Sequence, residues 1–280
     1  MVQLVPVKTN VFNSLIFSRV KPKHKFFIDV GCSDGISFDP TFGINNDMKF
    51  SGIFFEADKN KYNKLCNNFP RNDLIKVNDL VTPNNIINHL EKNNVPKDID
   101  AVSIDIDGYD YFIIKTLLEN GYLAQSFCVE CNTIFPPGIN WTLLYKEGYF
   151  WSGNTHFLGC SLSLYDKLMK KFGYEIIHYD WENAYYVKRE LYTQFFNFKE
   201  NSLQTAWEKG YWKRPDRGLP GGFEWNDDFV IANLDPRLQL HFVRNHSHIR
   251  THKENEEFYL FHDNEFDSLD ENKKKVLGLL

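Results

Sequence analysis

The chain has 280 residues, 42% of them hydrophobic and 25% charged, with a formal net charge of -5. That length suits one α/β domain with additions as well as two domains, and the apolar fraction can fill a core. The negative charge offers no global attraction to phosphate backbones, and no apolar run reaches the about eighteen residues of a membrane span, so neither nucleic acid nor membrane is an expected partner.

The opening MVQLVPVKTNVFNSLIFSRVKPKHK lacks the order of charge, apolar block and small-residue cleavage site of a secretory signal, so residues 1–24 read as an extension. Five cysteines, at 32, 66, 128, 131 and 160, are odd in number and scattered. They suit free thiols in a reducing, cytoplasmic setting. Cys128 and Cys131 form a C-x-x-C inside SFCVECN, but a spacing of three on a strand sends them to opposite faces, which argues against a redox pair or zinc half-site.

From residue 25 to about 190, β-rich runs alternate with helical segments. The strand candidates are KFFIDV (25–30), SGIFFE (51–56), LIKVND (74–79), IDAVSIDI (99–106), SFCVEC (126–131), YEIIHY (174–179) and NAYYVK (183–188). Between them DKNKYNKLCNNF, PNNIINHLEKNN, YDYFIIKTLLENG and SLSLYDKLMKKFG carry spaced apolar positions, and the last two stop at glycine. The alternation predicts an α/β, Rossmann-like sheet of seven strands, mainly parallel, with helices on both faces. Only DWE joins the last two strands, which predicts an antiparallel hairpin at the sheet's end. Ligands of such folds gather beyond the C-terminal ends of the strands.

Residues 191–280 break the pattern. They are aromatic, turn-rich and irregular, and read as an appendage for substrate or homo-oligomer contacts. Trp207, Trp212 and Trp225 either anchor it or meet a second copy. His241, His246, His248 and His252 lack a cysteine pair and zinc spacing, so they read as surface or packing residues. Lys273, Lys274 and Lys275 suit a solvated helix face.

The first strand ends in D-V-G-C-S-D-G. The glycines Gly31 and Gly35 let backbone pass close to a ligand, while Asp29 and Asp34 make a pyrophosphate an awkward guest and suit a cation. The dinucleotide pattern G-x-G-x-x-G would require glycine at Ser33 and Ile36, so it fails. Yet Glu56, at the end of the second strand, stands where an acid accepts hydrogen bonds from ribose hydroxyls. The pattern wants a nucleoside without a diphosphate, beside something positive. The plainer alternative is a turn in which Asp29 or Asp34 caps the next element.

In order, FFIDVGCSDG, FFEAD, VNDL and SIDIDGYDYF resemble the motifs of class I S-adenosylmethionine-dependent methyltransferases, and D-V-G-x-x-D-G with the DxDGxD strand end resembles the FkbM-like branch. The resemblance covers about residues 25–190. It implies that Asp29 and the Gly31 backbone approach the methionine moiety, with Asp34, Gly35 and Asp105 in the same cofactor site, that Glu56 takes the ribose hydroxyls, and that Asp79 faces the adenine amino group. Residues 36–50 depart from the family's smooth helix, because Pro40 and Gly43 interrupt it.

IDAVSIDIDGYDYF places Asp105, Asp107 and Asp110 at the end of a central strand. Carboxylates so close repel one another unless protons or a cation compensate, and hard divalent ions take oxygen ligands. The next strand ends in V-E-C-N, so Glu130 and Asn132 share a side. Catechol-type and macrolide-sugar O-methyltransferases are similar here, which implies Asp107, Glu130 and Asn132 as ligands of Mg2+ or Mn2+. Their Lys or His base is replaced by Asp110, with His156 in NTHFLGC as the rival. The plain alternative has Asp105 bonded to backbone, Asp107 in an Asp-Gly turn and Asp110 capping a helix.

The loop 133–160 should lie over that edge, its Trp141, Tyr145, Tyr149, Phe150 and Trp151 either stacking on a sugar or packing together. The whole predicts a metal-assisted O-methyltransferase acting on a hydroxyl of a sugar, glycan or similar small molecule. The alternatives are a metal-independent methyltransferase and a catalytically silent binding module on the same fold.

Overall fold

A computed structural model of the chain describes residues 11–133, 135–148, 158–196, 198, 202–214, 238 and 258–280. The apolar runs form β1 (Phe26–Val30), β2 (Ser51–Phe55), β3 (Leu74–Val77), β4 (Ala101–Ile104), β5 (Ser126–Glu130), β6 (Ile139–Leu143), β7 (Tyr174–Asp180), β8 (Asn183–Lys188) and β9 (Phe258–His262). Helices α1 (Phe42–Asn46), α2 (Lys59–Asn68), α3 (Ile86–Lys92), α4 (Asp110–Glu119) and α5 (Leu162–Lys171) lie between strands. The expected seven-stranded sheet is present, in the order β3-β2-β1-β4-β5-β8-β7, with β7 and β8 as its antiparallel hairpin.

The chain divides into two compact units of interleaved segments, drawn from residues 1–106, 116–129 and 187–197 and from residues 107–115, 130–186 and 198–280. In the first, β1 pairs in parallel with β2 and β4, so Ile28 faces both Ile53 and Val102. These side chains are wholly buried, as a sheet covered on both faces requires. Asp58 starts α2 by accepting from the N–H groups of Asn60 and Lys61. The N-terminal stretch joins this core: Phe12 and Ile16, in the helical turn Val11–Ile16, are buried. Buried Asp100 accepts from the N–H groups of Lys23, His24 and Phe26 at 2.5, 3.1 and 3.0 Å, which fixes where the chain enters β1.

The second unit corrects the expectation of a bare loop between 133 and 160. INWTL forms β6, which pairs antiparallel with β9 from FYLFH, with Trp141 opposite Leu260. Trp141 is fully buried, stacked on Phe135 and tilted against Phe258 with ring centroids 5.0 and 4.7 Å away, and it donates to the Leu158 carbonyl at 3.3 Å. It is a core residue and no platform for a sugar. The strand escaped sequence reading because its partner lies more than a hundred residues downstream.

The tail also packs. Tyr111 donates its hydroxyl to the Leu277 carbonyl at 2.6 Å, Lys171 reaches the Gly278 carbonyl at 2.8 Å, and Leu277 is fully buried. Of the appendage's tryptophans, Trp207 and Trp212 stack on each other at 5.4 Å. Gly210 passes so close to the Tyr179 carbonyl that an added Cβ would sit 1.9 Å from it. Arg214 lies over Trp181 and pairs with Asp180. These tryptophans therefore anchor the segment, while Trp225 and the four histidines 241–252 lie outside the described residues. Lys273 and Lys275 lie on the exposed helix Glu271–Val276. Among the described residues no helix is long and apolar enough to cross a membrane.

Candidate functional site

β1 runs into Gly31, whose φ of +85° belongs to the left-handed region. A Cβ there would lie 1.7 Å from the Asp105 carbonyl oxygen, so this glycine is demanded by backbone meeting backbone. The N–H groups of Gly31 and Cys32 both reach the Phe55 carbonyl, at 3.0 and 3.3 Å. Gly35 (φ +72°) is needed where the turn meets α2, since a Cβ would stand 2.6 Å from the Phe69 ring.

Glu56, buried at 7% exposure, accepts from Ser33 N–H at 2.8 Å with one oxygen and from Asp58 N–H at 2.7 Å with the other. It binds the β1 turn to the β2 turn. Each carboxylate oxygen can accept twice, so the acid keeps capacity for a diol after both contacts. Asp34 is held within its own turn. It accepts from Ile36 N–H, Ser37 N–H and the Ser37 hydroxyl at 3.0, 2.8 and 3.0 Å. Burial pushes its pKa up, but these bonds outweigh burial and hold it below the ordinary carboxylate value.

Asp29 is buried and has an acidic neighbour that sequence reasoning missed, Asp39. The Thr41 hydroxyl oxygen is 2.8 Å from Asp29 Oδ2 and 2.9 Å from Asp39 Oδ1, and Thr41 N–H donates to that same Asp39 oxygen at 2.6 Å. Burial, reinforced by the charge of Asp39, pushes Asp29 far above the ordinary range. Burial also pushes Asp39 up to about 6, against the opposing hydrogen bonds from Thr41. Among the described residues no lysine or arginine pairs with either acid. The one sequence signal was indirect: ISFDPTFGINN fails to continue as a smooth helix, and the chain bends there to bring Asp39 back to β1. Burial and the charges of Asp29, Asp39 and Glu56 push the Cys32 thiol well up, so it is not a nucleophile. All five cysteines are free thiols.

Asp79 lies two residues beyond β3. It accepts from Leu80 N–H at 2.8 Å and pairs with His89 Nε2 at 3.0 Å. His89, on α3, was also missed; its ring packs 5.6 Å from that of Phe55.

Asp105 follows β4 directly, and its N–H bonds the Val30 carbonyl at 3.0 Å, which extends the β1–β4 pairing by one step. Asp107, two residues on, has a φ of +53°, a conformation that aspartate tolerates better than most side chains. Asp107 and Glu130 bring carboxylate oxygens within 4.8 Å of one another. Asn132 is buried beside them in the chain. Its N–H bonds the Cys160 carbonyl at 2.8 Å, and its side-chain nitrogen donates to the Leu158 carbonyl at 3.1 Å, which fixes the direction of the amide.

Asp110, at the start of α4, is fully buried and accepts from Gly108 N–H, two residues before it, at 2.9 Å. Next to it, the Tyr109 ring meets that of Tyr145 at 4.8 Å, and its hydroxyl is pushed up to about 12 by burial and by the charges of Tyr145 and Asp110. Tyr145 thus packs on protein. His156, Tyr149, Phe150 and Trp151 lie outside the described residues.

No family model and no curated protein matches this sequence. Solved structures do match it in part. They include an S-adenosylmethionine-dependent methyltransferase from Aquifex aeolicus (11% identity, 57% of this chain and 80% of that one, TM-score 0.34). Another, from Clostridium acetobutylicum, shares 11% identity over 64% of this chain and 96% of that one, with a TM-score of 0.35. CalS10, an amino pentose methyltransferase from Micromonospora echinaspora, shares 12% identity over 58% and 81% of the two chains, with a TM-score of 0.32. Such values are too low to place the chain in a family.

Proposed function

We propose that the protein is an S-adenosylmethionine-dependent O-methyltransferase of the FkbM-like kind, acting with divalent-metal assistance on a hydroxyl of a sugar, glycan or related small molecule. The observation that carries the donor assignment is the end of β1. Asp29, Asp39 and Glu56 gather there in a buried, glycine-bearing turn without a lysine or arginine partner among the described residues. Such a turn repels a diphosphate and favours a positively charged ligand. Glu56 stands at the end of the second strand with capacity for a ribose diol, and Asp79 follows the third strand, where the resemblance puts the adenine amino group.

The donor set around Asp107 suits a hard divalent ion. Two carboxylates within 4.8 Å of one another repel unless a cation or proton intervenes, and both offer oxygen. Asp107, Glu130 and Asn132 are the residues that would hold Mg2+ or Mn2+. A bound ion of this kind lowers the pKa of an acceptor hydroxyl and fixes its direction. The chain's own contribution is alignment and exclusion of water, since methyl transfer is an in-line displacement that depends on placement. The Leu158 carbonyl orients Asn132, while Gly108 N–H orients Asp110 as the candidate proton acceptor.

Thermal shift with S-adenosylhomocysteine, NAD and added Mn2+ tests both parts. A rise in Tm with S-adenosylhomocysteine and none with NAD is expected, with a further rise on Mn2+ that a chelator reverses. No response to S-adenosylhomocysteine would remove the donor assignment, and no response to Mn2+ the metal assignment.

A further inference from the structure

We propose that Asp29 and Asp39 form a proton-sharing acid pair that gives up its proton to solvent when a cationic ligand is captured beside it. Proton counting makes the case. Thr41 has a single hydroxyl proton, yet its oxygen contacts a carboxylate oxygen of each acid, at 2.8 and 2.9 Å. One contact uses that proton, and the other is repulsive unless a carboxyl carries a second one. A proton on Asp29 Oδ2, donated to the Thr41 oxygen, relieves that contact; among the described residues buried Asp39 Oδ2 receives no N–H or hydroxyl donor, so the pair is short of protons even then.

The surroundings favour that state. Among the described residues the titratable groups that face the pair include Asp105, beside Asp29, and Cys32, which feels both acids, and neither brings positive charge. Two fully buried carboxylates cannot both ionise cheaply there, and the upward shifts of both acids agree. Between about pH 6 and neutrality the pair therefore holds one proton and one negative charge. An arriving ammonium stabilises the doubly ionised pair: the O–H bond of Asp29 breaks, its electrons stay on oxygen, and the proton passes to buffer. Asp39, which no motif singled out, thereby becomes a positioning residue for Asp29. The identity of the cation rests on the donor reading above.

Calorimetry in two buffers of different ionisation enthalpy, at pH 7, tests this on the full chain. S-Adenosylhomocysteine, which carries the ammonium, should release about one proton on binding. 5′-Methylthioadenosine, which lacks it, should release none. Asp39→Asn removes the neighbouring charge but not the burial, so the pKa of Asp29 falls without reaching the ordinary range; the release should diminish while methylthioadenosine binds as before. Binding of S-adenosylhomocysteine with heats independent of buffer, or undiminished release in Asp39→Asn, overturns the acid pair alone. If neither nucleoside binds wild type, the donor reading falls and takes the pair with it. Carboxyl 13C NMR of ligand-free wild type is a second check that needs no variant. One of these two carboxyls should titrate near 6 and the other remain protonated at neutral pH; two ordinary titrations overturn the proposal.

Discussion

The turn after β1 and the turn after β4 are both acidic strand ends next to a glycine, yet they manage charge in opposite ways. After β1, Asp29 and Asp39 are buried and joined through Thr41, and no lysine or arginine among the described residues pairs with them. Protonation is the only remedy within reach, and the site keeps one charge. After β4, Asp107 stands in a left-handed conformation with a carboxylate oxygen within 4.8 Å of one of Glu130, where the proposed divalent ion would sit. The lesson is that acid density alone does not define chemistry: burial favours a proton in one place, and the other is where we propose a metal.

The largest effect is expected at the start of the first turn. Gly31→Ala puts a Cβ 1.7 Å from the Asp105 carbonyl oxygen at a φ of +85°. A backbone atom cannot rotate away as a side chain can. The expected loss is at least roughly 3 kcal/mol in urea unfolding, or failure to fold. A change within 1 kcal/mol would mean that the turn is not held against β4 as described.

How much of this was legible depends on range. β1 to β5 and the hairpin were readable because each strand is a continuous apolar run between helical segments, and Glu56 and Asp107 fell at readable strand ends. Asp39 was not, because it reaches Asp29 only through a bend at Phe38 (φ +59°) and the short α1 that follows. Trp141 looked like a binding aromatic because its partner strand, β9, is remote in sequence. Asp34 shows the converse: its motif position suggested a ligand contact, whereas its three nearby donors make it a turn-former. Motif position identifies the acid, and only the local donors say how much of it is already spent.

The second turn is best challenged at Asp107. Asparagine tolerates the same left-handed backbone, so Asp107→Asn should fold normally while removing one charged ligand. Mn2+ affinity, followed by electron paramagnetic resonance, should weaken by on the order of 100-fold or more, a larger effect than loss of an outer-sphere partner generally brings. S-Adenosylhomocysteine binding should be largely unchanged. Equal Mn2+ affinity in the variant would erase the contrast between the turns.

The smallest effect concerns stability against pH and separates the turns without any ligand. A carboxyl whose folded pKa is raised leaves the folded state holding more protons than the unfolded state, so its contribution to stability is complete below the unfolded value near 4 and declines as pH rises. For Asp39 the decline runs through about 6, and for Asp29 it continues higher. From Asp39 alone wild type should therefore lose about 2 kcal/mol between pH 4 and pH 8, and Asp29 adds to that, measured by urea unfolding at each pH. Asp34 acts with the opposite sign: its lowered pKa adds stability that is present above 4 and is lost as the solution is acidified further. Asp39→Asn should make the decline above pH 4 shallower, because it removes the titration of Asp39 and the part of Asp29's shift that comes from its charge, and leave the acid limb of Asp34 in place. A decline of wild-type slope in that variant would place the buried proton somewhere other than the end of β1.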